Sequence, residues 1–159
     1  MKVENKDLVL KFFTIFSRFE YALKASGAIK VLRDDAAEAD WTIVEKAIQE
    51  LSPGKIELLR NKADILLTDP PKIQVLNNGI LGWRTAGSTG GYAQNIIASI
   101  KRVRNNLFHG GKYSSRGNSL STRSYHLLHC SIEVLNELIE IPQLKSVSHY
   151  FHGYDIEEG

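Results

Sequence analysis

Arg104, Asn105 and His109 are the residues of this 159-residue chain whose types and spacing come nearest to a reaction. An imidazole passes protons near neutral pH, so it can move the proton of an RNA 2′-hydroxyl or that of a leaving group. A guanidinium can hold a phosphate and the charge growing on its oxygens. An amide beside them can hydrogen-bond the ring or the phosphate. Together they suit RNA cleavage without a metal. The spacing sets a geometric problem. Asn105 and His109 share a helix face at i,i+4, but Arg104 lies about 140° round the helix from His109. A long arginine side chain, a distorted helix end or a second copy of the helix would close the site.

The element that must position them begins near Tyr92. Ile96, Ile97, Ile100, Val103, Leu107 and Phe108 recur at helical spacing and are expected to face a core. Lys101, Arg102, Asn105 and His109 fall largely on other faces, and Gly110-Gly111 supplies a helix stop. Lys101 and Arg102 on the helix, with Lys112 and Arg116 in the basic loop beyond it, are the candidate RNA-binding cations.

Other helices are expected around this one. Asp7–Lys24 is amphipathic through Leu8, Phe12, Ile15, Phe16, Phe19 and Leu23, and Ser26-Gly27 ends it. Asp40 is placed to cap a helix over Trp41–Leu51, and Ser52-Pro53 opens another that runs to about Leu67 before Asp69-Pro70-Pro71 breaks it. Ser121 or Asn118 can cap a helix to about Glu140, carrying Leu127, Leu128, Ile132, Leu135 and Leu138. A short tail follows Pro142. Ala28–Leu32 reads as a short strand or extended piece. Lys72–Gly91 is the least helical part, a long glycine-rich loop with room for a short strand, in which Trp83 and Arg84 could touch a base or tack the loop down. The expectation is an all-α bundle of about four to five helices forming one domain over residues 1–159.

Hydrophobic residues make up 43% of the chain, enough for a core, and no apolar run approaches the roughly 20 residues of a membrane span. A polar, acid-bearing N-terminus speaks against a signal peptide, and the single cysteine, Cys130, excludes an internal disulfide. Both point to the cytoplasm. The net charge is only +2, yet no Asp or Glu occurs between Asp69 and Glu133, an interval holding Lys72, Arg84, Lys101, Arg102, Arg104, Lys112, Arg116 and Arg123. That segregation gives either a positive face for a polyanion such as nucleic acid, or a solvated face neutralised by acids from other elements.

Competing chemistries fare worse. His126, His129 and Cys130 share a helix, with His149 and His152 later, but there is no Cys-x-x-Cys or His-Glu-x-x-His, so no metal site is expected. A packed Cys130 with partly buried histidines is the default reading. Gly110-Gly111-Lys112 is followed by Tyr113, which breaks the phosphate-loop pattern, and no Gly-x-Ser-x-Gly is present. Glu20, amid apolar residues, is either a partly exposed acid paired with a lysine or a carboxylate that orients an arginine from another helix.

Arg104-Asn105-x-x-x-His109, ending a helix in a small helical domain, resembles the Arg-x4–6-His motif of HEPN domains (higher eukaryotes and prokaryotes nucleotide-binding). The polar residue after the arginine belongs to that pattern. Phe19-Glu20-Tyr21-Ala22-Leu23-Lys24, the last long helix and the helix count are also similar. The resemblance implies a metal-independent endoribonuclease of toxin–antitoxin, abortive-infection or CRISPR-linked defence, needing no cofactor. It implies a homodimer whose two motifs form one cleft, with Arg104 and His109 catalytic, Asn105 supporting, and a cyclic phosphate as product. Partners would be RNA and a cognate antitoxin or larger defence complex, with no membrane. One departure is Gly111, where some HEPN toxins carry a tyrosine; the nearest here is Tyr113. Two other readings remain: a non-catalytic HEPN-like module that binds a nucleotide or protein, and an unrelated helical interaction protein in which Arg104 and His109 only solvate a helix end.

Overall fold

The computed structural model describes residues 3–109 and 120–153. Among these, seven α-helices are joined by two small antiparallel hairpins. In chain order they are α1 (Val3–Ala25), β1 (Ile29–Val31), β2 (Ala37–Ala39), α2 (Thr42–Gln49), α3 (Pro53–Lys62), α4 (Asp64–Thr68), β3 (Ile73–Asn77), β4 (Ile80–Arg84), α5 (Tyr92–Phe108), α6 (Thr122–Ile139) and α7 (Lys145–Phe151). The molecule is therefore mostly helical rather than all-α.

The core is built from the periodic apolar faces. Phe12, Phe19 and Leu23 of α1, Ile96, Ile97 and Ile100 of α5, and Leu128, Leu135 and Leu138 of α6 are fully buried. Helix α1 lies against α6 and α7, and α5 against α2, α4 and α6. Trp41 closes one end, its ring stacked on Phe19 (centroids 5.0 Å apart) and on Phe16 (5.5 Å). Its indole N–H donates to Glu20 Oε1 at 3.3 Å, and among the described residues Glu20 forms no ion pair with a lysine or an arginine. Helix α1 ends in a paired stop: Gly27, at φ 92°, donates to the Lys24 carbonyl and Ala28 to that of Leu23.

Two expectations are corrected here, and a third, the short strand within Ala28–Leu32, is met. The single helix expected from Pro53 to about Leu67 is divided at Ala63. The bend frees the Lys62 carbonyl, which accepts from the Cys130 thiol at 2.7 Å. The long loop over Lys72–Gly91 contains the β3–β4 hairpin, turned by Asn78 (φ 48°) and Gly79 (φ 79°). Positive φ at both central residues is the turn that matches the twist of two adjoining strands, and Asn-Gly adopts it at least cost. Ala28–Leu32 supplies β1, paired with β2 through Ile29 opposite Ala39.

The β3–β4 hairpin is fastened where it enters. Arg123 of α6 grips the Asp69 carboxylate with Nε (2.7 Å) and Nη2 (3.0 Å), and Nη2 also reaches the Pro70 carbonyl at 2.7 Å. Asn106 of α5, itself buried, donates to the Lys72 carbonyl at 2.9 Å. On the far side, the Asn95 side chain accepts from the Thr89 N–H (2.9 Å) and donates to the Gly90 carbonyl (3.2 Å), tying the return loop to the first turn of α5.

Candidate functional site

The C-terminal half of α5 presents two adjacent faces, and the motif is shared between them. One face carries Arg104 and Phe108, an i,i+4 pair. The Arg104 guanidinium lies over the Phe108 ring (5.4 Å from its centroid) and over the buried Phe16 ring (5.8 Å). Phe108 is 68% exposed, so the expectation that it faces the core is overturned. It leans edge-on against Phe13 of α1, 6.1 Å between centroids. A flat aromatic at the helix margin thus becomes the shelf on which the guanidinium rests.

The next face carries Lys101, Asn105 and His109. With Ile73, Gln74, Ala98, Arg102 and Asn106 they line a groove of about 550 Å³ between α5 and β3. No carboxylate lines it. His109 is exposed and takes the capping position of α5, its N–H donating to the Asn105 carbonyl at 3.0 Å. Its ring stands perpendicular to Phe108, 6.0 Å between centroids, so Phe108 touches both Arg104 and His109.

Asn105 joins the two faces. Its Oδ1 accepts from Arg104 Nη1 at 2.9 Å, while its side chain borders the groove that His109 opens into. The carboxamide can only be an acceptor toward that arginine, which leaves its NH2 group turned to other partners. The arginine is thereby held against α5 with one edge tied and does not itself line the groove. The angular separation expected from helix geometry is present in the fold.

The charge reading divides between its two alternatives. Arg123 is neutralised by Asp69, and its hydrogen bonds hold that carboxyl below its ordinary value. Arg84, Lys101, Arg102 and Arg104 make no ion pair among the described residues. Arg102 is partly buried between the groove and a smaller hollow near Ser88 and Ser99, and among the described residues it donates to the Pro71 carbonyl, at 3.5 Å. Burial lowers its affinity for its proton, although an arginine stays charged. A desolvated cation without a counter-ion leaves the groove attractive to an anion. Lys112, Arg116 and Tyr113 lie outside the described residues.

The other candidate chemistries find less support. Cys130 is buried and its thiol is pushed up to about 11 by desolvation, far from a nucleophile's range. His126 and His129 are exposed rather than partly buried, because α6 turns them outward; His129 stacks on Tyr125 and sits 3.7 Å from Glu133. Among the described residues no group of three His, Cys, Asp or Glu side chains is arranged to hold a metal. No helix among them is long and apolar enough to cross a membrane.

No protein-family model matches the chain, and no curated protein or solved structure matches it.

Proposed function

We propose that this protein is a metal-independent endoribonuclease of HEPN type that works as a homodimer in toxin–antitoxin or anti-phage defence. The observation that carries the reading is the exposed His109 opening into a groove lined by Lys101, Arg102 and no carboxylate, with the Arg104 guanidinium tied to the same groove's edge through Asn105.

The chemistry follows from those groups. The cationic groove draws the RNA backbone in. His109 accepts the proton of a ribose 2′-hydroxyl, whose oxygen attacks the adjacent phosphorus. The bond from phosphorus to the 5′-oxygen breaks, that oxygen takes up a proton, and a 2′,3′-cyclic phosphate remains. Arg104 holds the non-bridging oxygens as their charge grows. Two copies of the motif facing one cleft supply two imidazoles, one to take the first proton and one to give the second. They also let the guanidinium of one helix reach the groove of the other, which answers the angle between Arg104 and His109.

Purified protein in EDTA is the test. Wild type should cut RNA, and Arg104→Ala and His109→Ala should each abolish cutting while melting normally. One feature favours a second reading: Arg104 rests on Phe16 and Phe108 and not in the groove, as a non-catalytic nucleotide- or protein-binding module would allow. RNA binding without turnover by the wild type would select that module.

A further inference from the structure

We propose that the outer face of the β3–β4 hairpin is a binding ribbon for single-stranded RNA, on which Trp83 stacks a base beside the α5 groove. The inference rests on reading that groove as an RNA site and names the form of RNA it takes.

Alternation along the two strands decides which side chains share a face. Ile73, Val75 and Gly82 are half-buried and turn toward the bundle. Gln74 and Leu76 of β3, with Leu81 and Trp83 of β4, are exposed and occupy the other face. The register sets Gln74 opposite Trp83 and Leu76 opposite Leu81. Directly opposed residues of an antiparallel pair stand about 5 Å apart at Cβ. Gln74 also lines the groove that holds Lys101, Arg102 and His109. Trp83 is therefore one residue across the ladder from a residue that lines the cationic groove, and it is 40% exposed.

Two large aliphatic side chains and an indole exposed on a two-stranded arm mark a binding face. The charge around it selects the occupant. No Asp or Glu occurs over residues 70–132; at the base of the hairpin the exposed Lys72 precedes β3 and the exposed Arg84 ends β4 opposite Ile73. A polyanion with flat apolar faces fits both properties at once, which describes unpaired nucleotides. Every base has a π-face, so stacking on an aromatic is tolerant of sequence, while Gln74 can add a hydrogen bond to a base edge. In a duplex those faces are already stacked on one another and cannot reach the indole.

The two tryptophans of the chain make the test direct. Trp41 is 3% exposed and stacked on Phe19, so a soluble ligand quenches chiefly Trp83. The full chain carrying His109→Ala is titrated with a 12-nucleotide oligouridine and, separately, with a blunt RNA duplex, following tryptophan emission and the anisotropy of a labelled oligonucleotide. Saturable quenching by the single strand, and weaker binding of the duplex, are expected. Trp83→Ala should weaken single-strand binding by about 10- to 100-fold, and Trp83→Phe by less than about threefold, since a ring still stacks. Equal affinity of Trp83→Ala and the parent overturns the proposal, as does equal affinity for the duplex. A Trp83 emission shift that depends on protein concentration without RNA also overturns it, by showing a second copy on this face. Trp83-dependent binding in a wild type that cuts nothing would sink the nuclease and leave this ribbon standing. Cleavage that needs Arg104 and His109 but ignores Trp83 would do the reverse.

Discussion

Asn105 and Asn106 are neighbours in sequence with opposite assignments, and exchanging each for alanine separates site from scaffold. Asn105 is exposed and its Oδ1 holds the Arg104 guanidinium at 2.9 Å. A hydrogen bond to a charged donor is worth about 1.5–3 kcal/mol when solvent is excluded, and about 1 kcal/mol is the fair figure at this open edge. Lost from the transition state, that amounts to roughly a fivefold slower cleavage. Removing the proton-transfer group itself, as in His109→Ala, should cost about 10²- to 10⁴-fold. Asn106 is buried and holds the Lys72 carbonyl at 2.9 Å, at the foot of the hairpin. Asn106→Ala leaves that carbonyl without a donor, a loss of about 1–3 kcal/mol. For a chain of this size each kcal/mol lowers the melting temperature by about 2–4 °C. Single-turnover cleavage of a labelled RNA and melting by circular dichroism give both quantities. The expected pattern is Asn105→Ala several-fold slower with an unchanged melt, and Asn106→Ala melting several degrees lower. The reverse pattern would refute the assignment. So would Asn105→Ala falling to the level of His109→Ala, since Asn105 would then act in the chemistry rather than on Arg104.

Phe108→Ala removes the shelf under Arg104; a cation–π contact at an exposed site is worth about 0.5–1 kcal/mol, so cleavage should slow by about two- to fivefold with little change in melting. Asp69→Asn should lower the melting temperature near neutral pH. The Asp69 carboxyl is held below its ordinary value by Arg123, so this stabilisation is present above about pH 4 and fades as pH falls further; the two melting curves should converge in acid. Cys130, pushed up to about 11, should resist iodoacetamide near neutral pH while the fold holds and react at once in denaturant. Replacing both Lys101 and Arg102 by alanine should weaken RNA binding and flatten its dependence on salt, measured as the slope of log affinity against log salt concentration.

The long helices were legible because their apolar periodicity is strong. Phe12, Phe19, Ile96, Ile100, Leu128 and Leu135 fall where a 3.6-residue repeat puts them, and all are buried. Of the two caps the sequence offered for α6, Ser121 and Asn118, the fold uses Ser121, its hydroxyl accepting from the Ser124 N–H at 3.1 Å. The β3–β4 hairpin was less legible, because its strands are short and largely exposed and sit in a stretch punctuated by Gly79, Gly87, Gly90 and Gly91. The signal was present in Asn78-Gly79, the dipeptide that most favours a two-residue hairpin turn. Phe108 misleads for a different reason. It continues the apolar series of α5, but it falls at the last residue of the helix, past the edge of the bundle, where periodicity no longer means burial. Arg123 looked like part of the basic face because the Asp69 that neutralises it lies on a loop far back in sequence, and only the fold brings the two together. The separation of Arg104 from His109 was readable from helix geometry alone. Their shared contact with Phe108 was not.

The most direct measurement concerns the ends of the RNA. Products made by the wild-type protein in EDTA are examined for their terminal groups by mass spectrometry, beside a parallel His109→Ala reaction. Fragments ending in 2′,3′-cyclic phosphate and 5′-hydroxyl, absent from the His109→Ala reaction, are what the account predicts. Intact RNA, fragments with 3′-hydroxyl and 5′-phosphate ends, or equal cutting by both proteins would contradict it.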